Sequence, residues 1–193
     1  MSRTATITRT TNETEITITV TLDGAAEAQV STGLPFLDHM LTALAFHGEI
    51  GLVVLASGDV TVDPHHLVED TGIVLGSCLD QIFRDGGPVK RFGHAVIPMD
   101  EALSEATIDI CGRPTLHYHG DFPQDYSGEF PMWLFREFFV ALAMSAKIAL
   151  HLDCRHGENA HHMIEALFKA LGKAISIAYA PAAESEMSTK GSV

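Results

Sequence analysis

Two stretches of the chain carry metal-ligand chemistry in one and the same arrangement: His65-His66-Leu67-Val68-Glu69 and His161-His162-Met163-Ile164-Glu165. Imidazole nitrogens and carboxylate oxygens suit several divalent cations, and a histidine and a glutamate four residues apart share one face of a helix. His65 with Glu69, and His161 with Glu165, are therefore chelating pairs. The second histidine of each motif cannot join its neighbour. It sits about 100° round the helix axis, because a helix has about 3.6 residues per turn, and it points toward a different ion. A single such motif on an amphipathic helix is an ordinary solvated face, since histidine and glutamate are common on surfaces. Two copies read as a site.

The elements that must position these groups follow from periodicity. Residues 4–10 and 15–22 alternate β-branched with polar side chains around a break at Thr11-Asn12-Glu13-Thr14, the pattern of an antiparallel hairpin. Pro35 opens a helix that stops near Gly48. A strand at 50–55, a shorter extended piece at 60–62, and a helix from Pro64 to about Phe83 complete the first half. Asp85-Gly86-Gly87-Pro88 marks the internal boundary. The pattern then restarts, with strands at 93–98 and 104–111, an extended piece at 115–119 and a polar loop at 120–131. A helix at about 131–144, a strand at 147–152 and a helix from Asn159 to about Ala180 follow. Both halves read strand, strand, helix, strand, helix.

The chain is thus a single domain of two internal repeats, about 1–88 and 89–180, with a tail at 181–193. The fold class is α+β, an internally duplicated β-β-α-β-α arrangement whose sheets carry helices on one face. The repeat also pairs two lone residues. His39, on the first helix of half one, precedes the first motif by about as much as Glu137 precedes the second, so both are candidate ligands in corresponding places. His47 lies at the end of its helix, where a histidine can interact with the helix dipole.

Composition narrows the partners. The 193-residue chain is long enough to bury a real core, and its formal net charge of -13 argues against nucleic acid and anionic membranes. Any phosphate must be met by a few local cations. No run of about 18 apolar residues occurs and the start lacks an apolar signal segment, so a soluble cytoplasmic protein is expected. Cys78, Cys111 and Cys154 are widely spaced, form no Cys-x-x-Cys pair, and read as buried reduced thiols.

Taken together, Leu37-Asp38-His39-Met40-Leu41, His65-His66-Leu67-Val68-Glu69-Asp70, Met99-Asp100-Glu101-Ala102, Gly112-Arg113-Pro114 and Gly157-Glu158-Asn159-Ala160-His161-His162-Met163-Ile164-Glu165-Ala166 resemble the monofunctional imidazoleglycerol-phosphate dehydratases of histidine biosynthesis. The resemblance spans nearly the whole chain. It implies a lyase that dehydrates imidazoleglycerol phosphate to imidazole-acetol phosphate. It implies a 24-subunit homo-oligomer with two manganese ions in each active site, built between subunits. It puts His39, His66, His161 and Glu165 on one ion, and His65, Glu69, Glu137 and His162 on the other. The ring would then bind both ions as an imidazolate and expel the hydroxyl of the adjoining carbon, after which the next carbon loses its proton more easily. Glu13 and Glu165 take catalytic roles, with Glu13 the candidate general acid/base that also touches substrate. Arg91, Arg113, Lys169, Ser188 and Lys190 resemble the phosphate pocket. Two departures stand out: the family often has histidine at the place of Glu137, and its Ser-Ser-Lys-Gly tail is Ser188-Thr189-Lys190-Gly191 here.

The residues alone leave two competing readings open. One is a metal-storage shell, which has no need of Arg91, Arg113 and Lys190. The other is a metal-dependent hydrolase. Only the second would release phosphate from a phosphorylated substrate.

Overall fold

The computed structural model describes residues 3–24 and 27–182. Alternation dictates the first hairpin: β1 (Thr4–Thr10) and β2 (Thr14–Thr21) pair antiparallel, with Ile16, Ile18 and Val20 buried on one face. The other face is a ladder of hydroxyl pairs, Thr4 with Thr21, Thr6 with Thr19 and Thr8 with Thr17, at 2.8 to 3.1 Å. Cross-strand pairs of this kind suit β-branched side chains. The connecting turn is closed by Thr11, whose hydroxyl accepts the N–H groups of Glu13 and Thr14.

Half one continues through β3 (Ala28–Ser31), α1 (Pro35–Gly48), β4 (Gly51–Gly58) and α2 (His65–Asp85). Its sheet has the order β1-β2-β4-β3, with β3 parallel to β4 across the α1 crossover. Half two repeats this with β5 (Phe92–Met99), β6 (Ala102–Ile110), β7 (Thr115–His119), α3 (Leu134–Ala146), β10 (Ile148–His156) and α4 (Ala160–Ala178). Its sheet order is β5-β6-β10-β7, again with the crossover strands parallel. The one insertion is a small ribbon, β8 (Tyr126–Ser127) with β9 (Phe130–Pro131), inside the loop before α3. Even the helix ends correspond. Glu49 after α1 and Lys147 after α3 both take the left-handed conformation, each with φ 55°, and turn the chain directly into a strand.

Each half therefore has three strands before its first helix, where periodicity had suggested two in half one. β3 is only four residues long with Val30 its sole half-buried apolar side chain, too little alternation to read. Residues 60–62, expected to be extended, form a turn instead: the Val62 N–H bonds the Asp59 carbonyl at 2.7 Å and the valine side chain is exposed.

The helices pack across the halves, α1 on α4 and α2 on α3, with the two sheets outside them. Close approach is possible because glycines face backbone. A Cβ on Gly172 would lie 2.2 Å from the Leu44 carbonyl oxygen, and one on Gly72 would lie 2.5 Å from that of Phe138. Phe135, Phe138, Phe139 and Phe168 fill the centre, fully buried, with ring centroids of neighbours 5.2 to 6.4 Å apart. All three cysteines are buried and free, and burial pushes the Cys78 thiol up to about 12 and that of Cys154 to about 11. No helix among the described residues is long and apolar enough to cross a membrane.

Candidate metal centre

Helix α4 starts where Asn159 caps it, its side chain accepting the His161 N–H at 2.9 Å. One turn separates His161 from Glu165, so both project from the same face. Because α1 lies against α4, His39 comes to that face from the other half of the chain. Nε2 of His39 and Nε2 of His161 lie 3.1 and 3.0 Å from a single oxygen, Oε2 of Glu165. The three donor atoms are all within 4.8 Å of one another. Phe36 stands edge-on to the His161 ring at 5.2 Å and gives the cluster an apolar wall.

The second oxygen of Glu165 is held by Lys169, one turn further on, with Nζ at 2.8 Å from Oε1. Burial raises the Glu165 carboxyl, but the hydrogen bonds from Lys169, His39 and His161 outweigh it and hold the group at about 2. Glu165 is thus a carboxylate at any physiological pH. Two imidazoles and one ionised carboxylate aimed at one point, with no thiolate, are a donor set that fits a divalent transition metal.

The first motif is arranged more loosely. Nε2 of His65 lies 3.3 Å from Oε2 of Glu69, the chelating pair expected from the spacing, and Trp133 stands edge-on to His65 at 5.7 Å. Glu137 does sit on α3, the counterpart of α1, but its carboxylate turns to Arg136 at 3.3 Å. It lines a cavity of about 610 Å³ together with Trp133, Arg136 and Tyr126. Among the described residues only His39, His161 and Glu165 gather as three potential ligands.

His66 and His162 point elsewhere, as helix geometry required. Nδ1 of His66 lies 3.2 and 3.3 Å from the oxygens of Asp59 and 3.7 Å from Glu13. The Asp59 hydrogen bond raises the basicity of that ring. Nδ1 of His162 lies 2.8 Å from Oε2 of Glu101, a hydrogen bond that raises the histidine and lowers the glutamate to about 2. His47, at the end of α1, is lowered by burial, and the end of its helix is closed by the left-handed Glu49.

The expected phosphate ligands are spread out in the single chain. Arg91 is paired in a fork with Asp109 at 2.6 and 3.1 Å and lies over the Phe92 ring. Arg113 is exposed and donates to the Cys111 carbonyl at 3.4 Å. Lys169, besides holding Glu165, touches the Met99 sulfur at 3.6 Å, so it stands at the far end of β5 from Arg91. Ser188 and Lys190 lie outside the described residues. Sequence reasoning gave no role to Asp59, Glu101 or Trp133. Glu101 stood inside a quoted motif, so a signal was present, whereas Asp59 carried none.

Residues 32–175 match the family profile described as imidazoleglycerol-phosphate dehydratase. The chain is 51% identical over 177 residues to the imidazoleglycerol-phosphate dehydratase of Gluconobacter oxydans, covering 92% of this chain and 89% of that one. It is 48% identical over 191 residues to that of Lacticaseibacillus casei, covering 98% of each. Among solved structures, the imidazoleglycerol-phosphate dehydratase of Staphylococcus aureus superposes with a TM-score of 0.84 at 36% identity, covering 93% of this chain and 99% of that one. The Pyrococcus furiosus enzyme gives 0.83 at 37% identity, with 97% and 100% covered.

Proposed function

The chain belongs to the imidazoleglycerol-phosphate dehydratase family and is a hydro-lyase, and we propose that it dehydrates imidazoleglycerol phosphate at sites holding two manganese ions shared between subunits. In this reading His39, His161 and Glu165 hold one ion with His66 of a neighbouring copy. His65, Glu69 and Glu137 hold the other with a neighbouring copy's His162. When bound, the two ions act as Lewis acids and orient the substrate's imidazole ring.

The chain's own residues do the rest. Lys169 keeps Glu165 ionised and fixes the direction of its other oxygen, the one His39 and His161 face. Glu13 is exposed beside His66, so it travels with that histidine to the neighbour's site, where its carboxylate takes or returns a proton on the carbon chain. Arg91, Arg113, Lys169 and the tail residues Ser188 and Lys190 bind the phosphate. Their cationic groups meet a dianion that a chain of net charge -13 otherwise repels. Asp109 pre-sets the Arg91 fork for that purpose.

The observation that carries this reading is the convergence of His39 and His161 on one oxygen of Glu165, while His66 on α2 and His162 on α4 turn to other carboxylates. Exposed Phe46, Leu55, Phe92 and Trp133 support an assembly that covers them, and a 24-subunit particle is the form expected. Free buried cysteines agree with a cytoplasmic setting. The test is incubation of the purified protein with imidazoleglycerol phosphate and Mn²⁺. Ketone formation without phosphate release, abolished by chelator, supports the dehydratase; phosphate release, or no ketone, defeats it.

A further inference from the structure

His66 and His162 stand apart from the three-donor cluster, and each has a carboxylate at its Nδ1. Oε2 of Glu101 lies 2.8 Å from His162, and the two oxygens of Asp59 lie 3.2 and 3.3 Å from His66. An ionised carboxylate can only accept a hydrogen bond, so the ring proton belongs on Nδ1 and the lone pair on Nε2. We propose that Glu101 and Asp59 are positioning residues that fix the Nδ1–H tautomer of His162 and His66, so that each ring presents a bare Nε2 to the ion it completes. The proposal rests on the reading of these two histidines as ligands delivered to a neighbouring copy.

The surroundings of Glu101 divide its carboxylate between two tasks. Oε1 accepts the backbone N–H groups of Glu158 and Asn159, at 3.1 and 2.9 Å, and so anchors the segment that starts α4. Oε2 is then left to orient the ring on the first turn of that helix. Asp59 reaches His66 from a different place in the repeat, the loop between β4 and α2, whereas Glu101 lies in the turn between β5 and β6. The repeat counterpart of Glu101 is Glu13, in the turn between β1 and β2, and it is not the nearest carboxylate to His66. Two carboxylates of separate origin thus hold the same ring atom in both halves. Glu13 still stands 3.7 Å from Nδ1 of His66, yet Asp59 comes closer at 3.2 Å, so the ring atom keeps a near carboxylate in both halves by whichever residue reaches it, as a shared requirement on the histidine demands. Carboxylates behind metal-binding histidines commonly serve this purpose.

The geometry makes two amide variants behave differently. In Glu101→Gln the single remaining oxygen is claimed by two backbone N–H groups, so the NH₂ faces Nδ1, donates to it and drives the ring proton to Nε2. The same reversal of tautomer follows when the aspartate of a serine-protease triad becomes asparagine. In Asp59→Asn both former oxygens lie at nearly equal distance from Nδ1, so the amide can turn its oxygen to the ring and keep the tautomer.

The experiment titrates Mn²⁺ against a competing chelator in the assembled protein, with Glu101→Gln, Glu101→Ala, Asp59→Asn, Asp59→Ala and His162→Ala beside the parent. Expected is a loss of affinity of about 10- to 100-fold at one ion per subunit in Glu101→Gln. Asp59→Asn stays close to the parent while Asp59→Ala weakens. Thermal midpoints of the metal-free Glu101→Gln and parent proteins coincide, because the remaining oxygen keeps the Glu158 and Asn159 N–H groups, whereas a purely structural role for the carboxylate predicts a lowered midpoint with Mn²⁺ affinity intact. Parent-like affinity in both Glu101→Gln and Glu101→Ala, with His162→Ala weakened, overturns the positioning role alone. Parent-like affinity in His162→Ala removes the ligand reading itself and the proposal with it.

Discussion

The α1–α4 corner and the α2–α3 corner are built from one repeated pattern, yet only the first is drawn together in the isolated chain. At the α1–α4 corner His39 and His161 meet a buried carboxylate whose charge Lys169 offsets, so the donors gather through their own hydrogen bonds. At the α2–α3 corner the place of His39 is taken by Glu137 and that of Lys169 by Ile73. His65 lies 3.3 Å from Glu69, but the second carboxylate, Glu137, has no cation at the Lys169 position to offset its repulsion of Glu69. Glu69 accordingly remains about half exposed, 47% against 10% for Glu165, and Glu137 turns to Arg136. One corner is therefore drawn together by its own hydrogen bonds, whereas the other, in the proposed reading, would close only on the cation it is to bind.

The sharpest way to break this contrast is to remove its pivot. Glu165→Ala takes away the oxygen on which both histidines converge, and turnover should fall by about 10²- to 10⁴-fold, the range for loss of a catalytic carboxylate. Steady-state kinetics on a variant with parent-like circular dichroism checks it, and near-parental kcat would dissolve the distinction between the corners. Next in size is exhaustive chelation. If ligands cross between copies, metal binding stabilises their association by mass action, so removal should shrink the particle. Light scattering or native mass spectrometry with and without chelator decides, and an apo form of unchanged mass would refute shared ligation.

Glu137 offers a finer test. Glu137→Ala should lower the occupancy of the ion held by His65 and Glu69 before that of the other. Glu137→His should restore it, because this makes the α2–α3 donors resemble those of the α1–α4 corner. A half-buried helix glutamate with no ligand role predicts changes in stability below about half a kcal/mol and no change in metal. Metal content per subunit after dialysis separates the two. The smallest effect concerns a feature the halves share. Arg3 ahead of β1 forks onto Asp23, as Arg91 ahead of β5 forks onto Asp109. The Arg3 hydrogen bond lowers Asp23 below its ordinary 3.8. A depressed carboxyl contributes stability above its ordinary value and loses it as pH falls through the depressed one. Asp23→Asn should therefore cost no more than about 1 kcal/mol near neutral pH and flatten the acid limb of the stability curve, measured by urea unfolding.

How much of this was legible beforehand differs between backbone and site. The duplication, the four helices and both i,i+4 histidine–glutamate pairs follow from periodicity and spacing, because i,i+4 geometry is local. The convergence of His39 on Glu165 is not local. It depends on α1 crossing α4, which rests on close approach at Gly172, and the repeat hinted only that His39 and Glu137 were equivalent. The role of Asp59, and that of Glu101 despite its quoted motif, escaped for a different reason: a carboxylate in a turn has no period, and its partner is 7 residues away in one case and 61 in the other. The short β3 and the turn at 60–62 escaped because a few residues carry too little pattern to separate strand from loop.

The packing of α1 on α4 and of α2 on α3 has an evolutionary consequence. Each corner takes one helix from each half, so neither half contains a corner by itself. A half-length ancestor with this topology would have built its corners by pairing with a second copy about a two-fold axis, and identical copies make identical corners. Any residue at the place now shared by His39 and Glu137 would have appeared in both. Joining the copies in one chain would release the two corners to differ, as the imidazole of His39 in one and the carboxylate of Glu137 in the other now do. A difference between the corners, His39 in one and Glu137 in the other, is something that two identical copies could not hold.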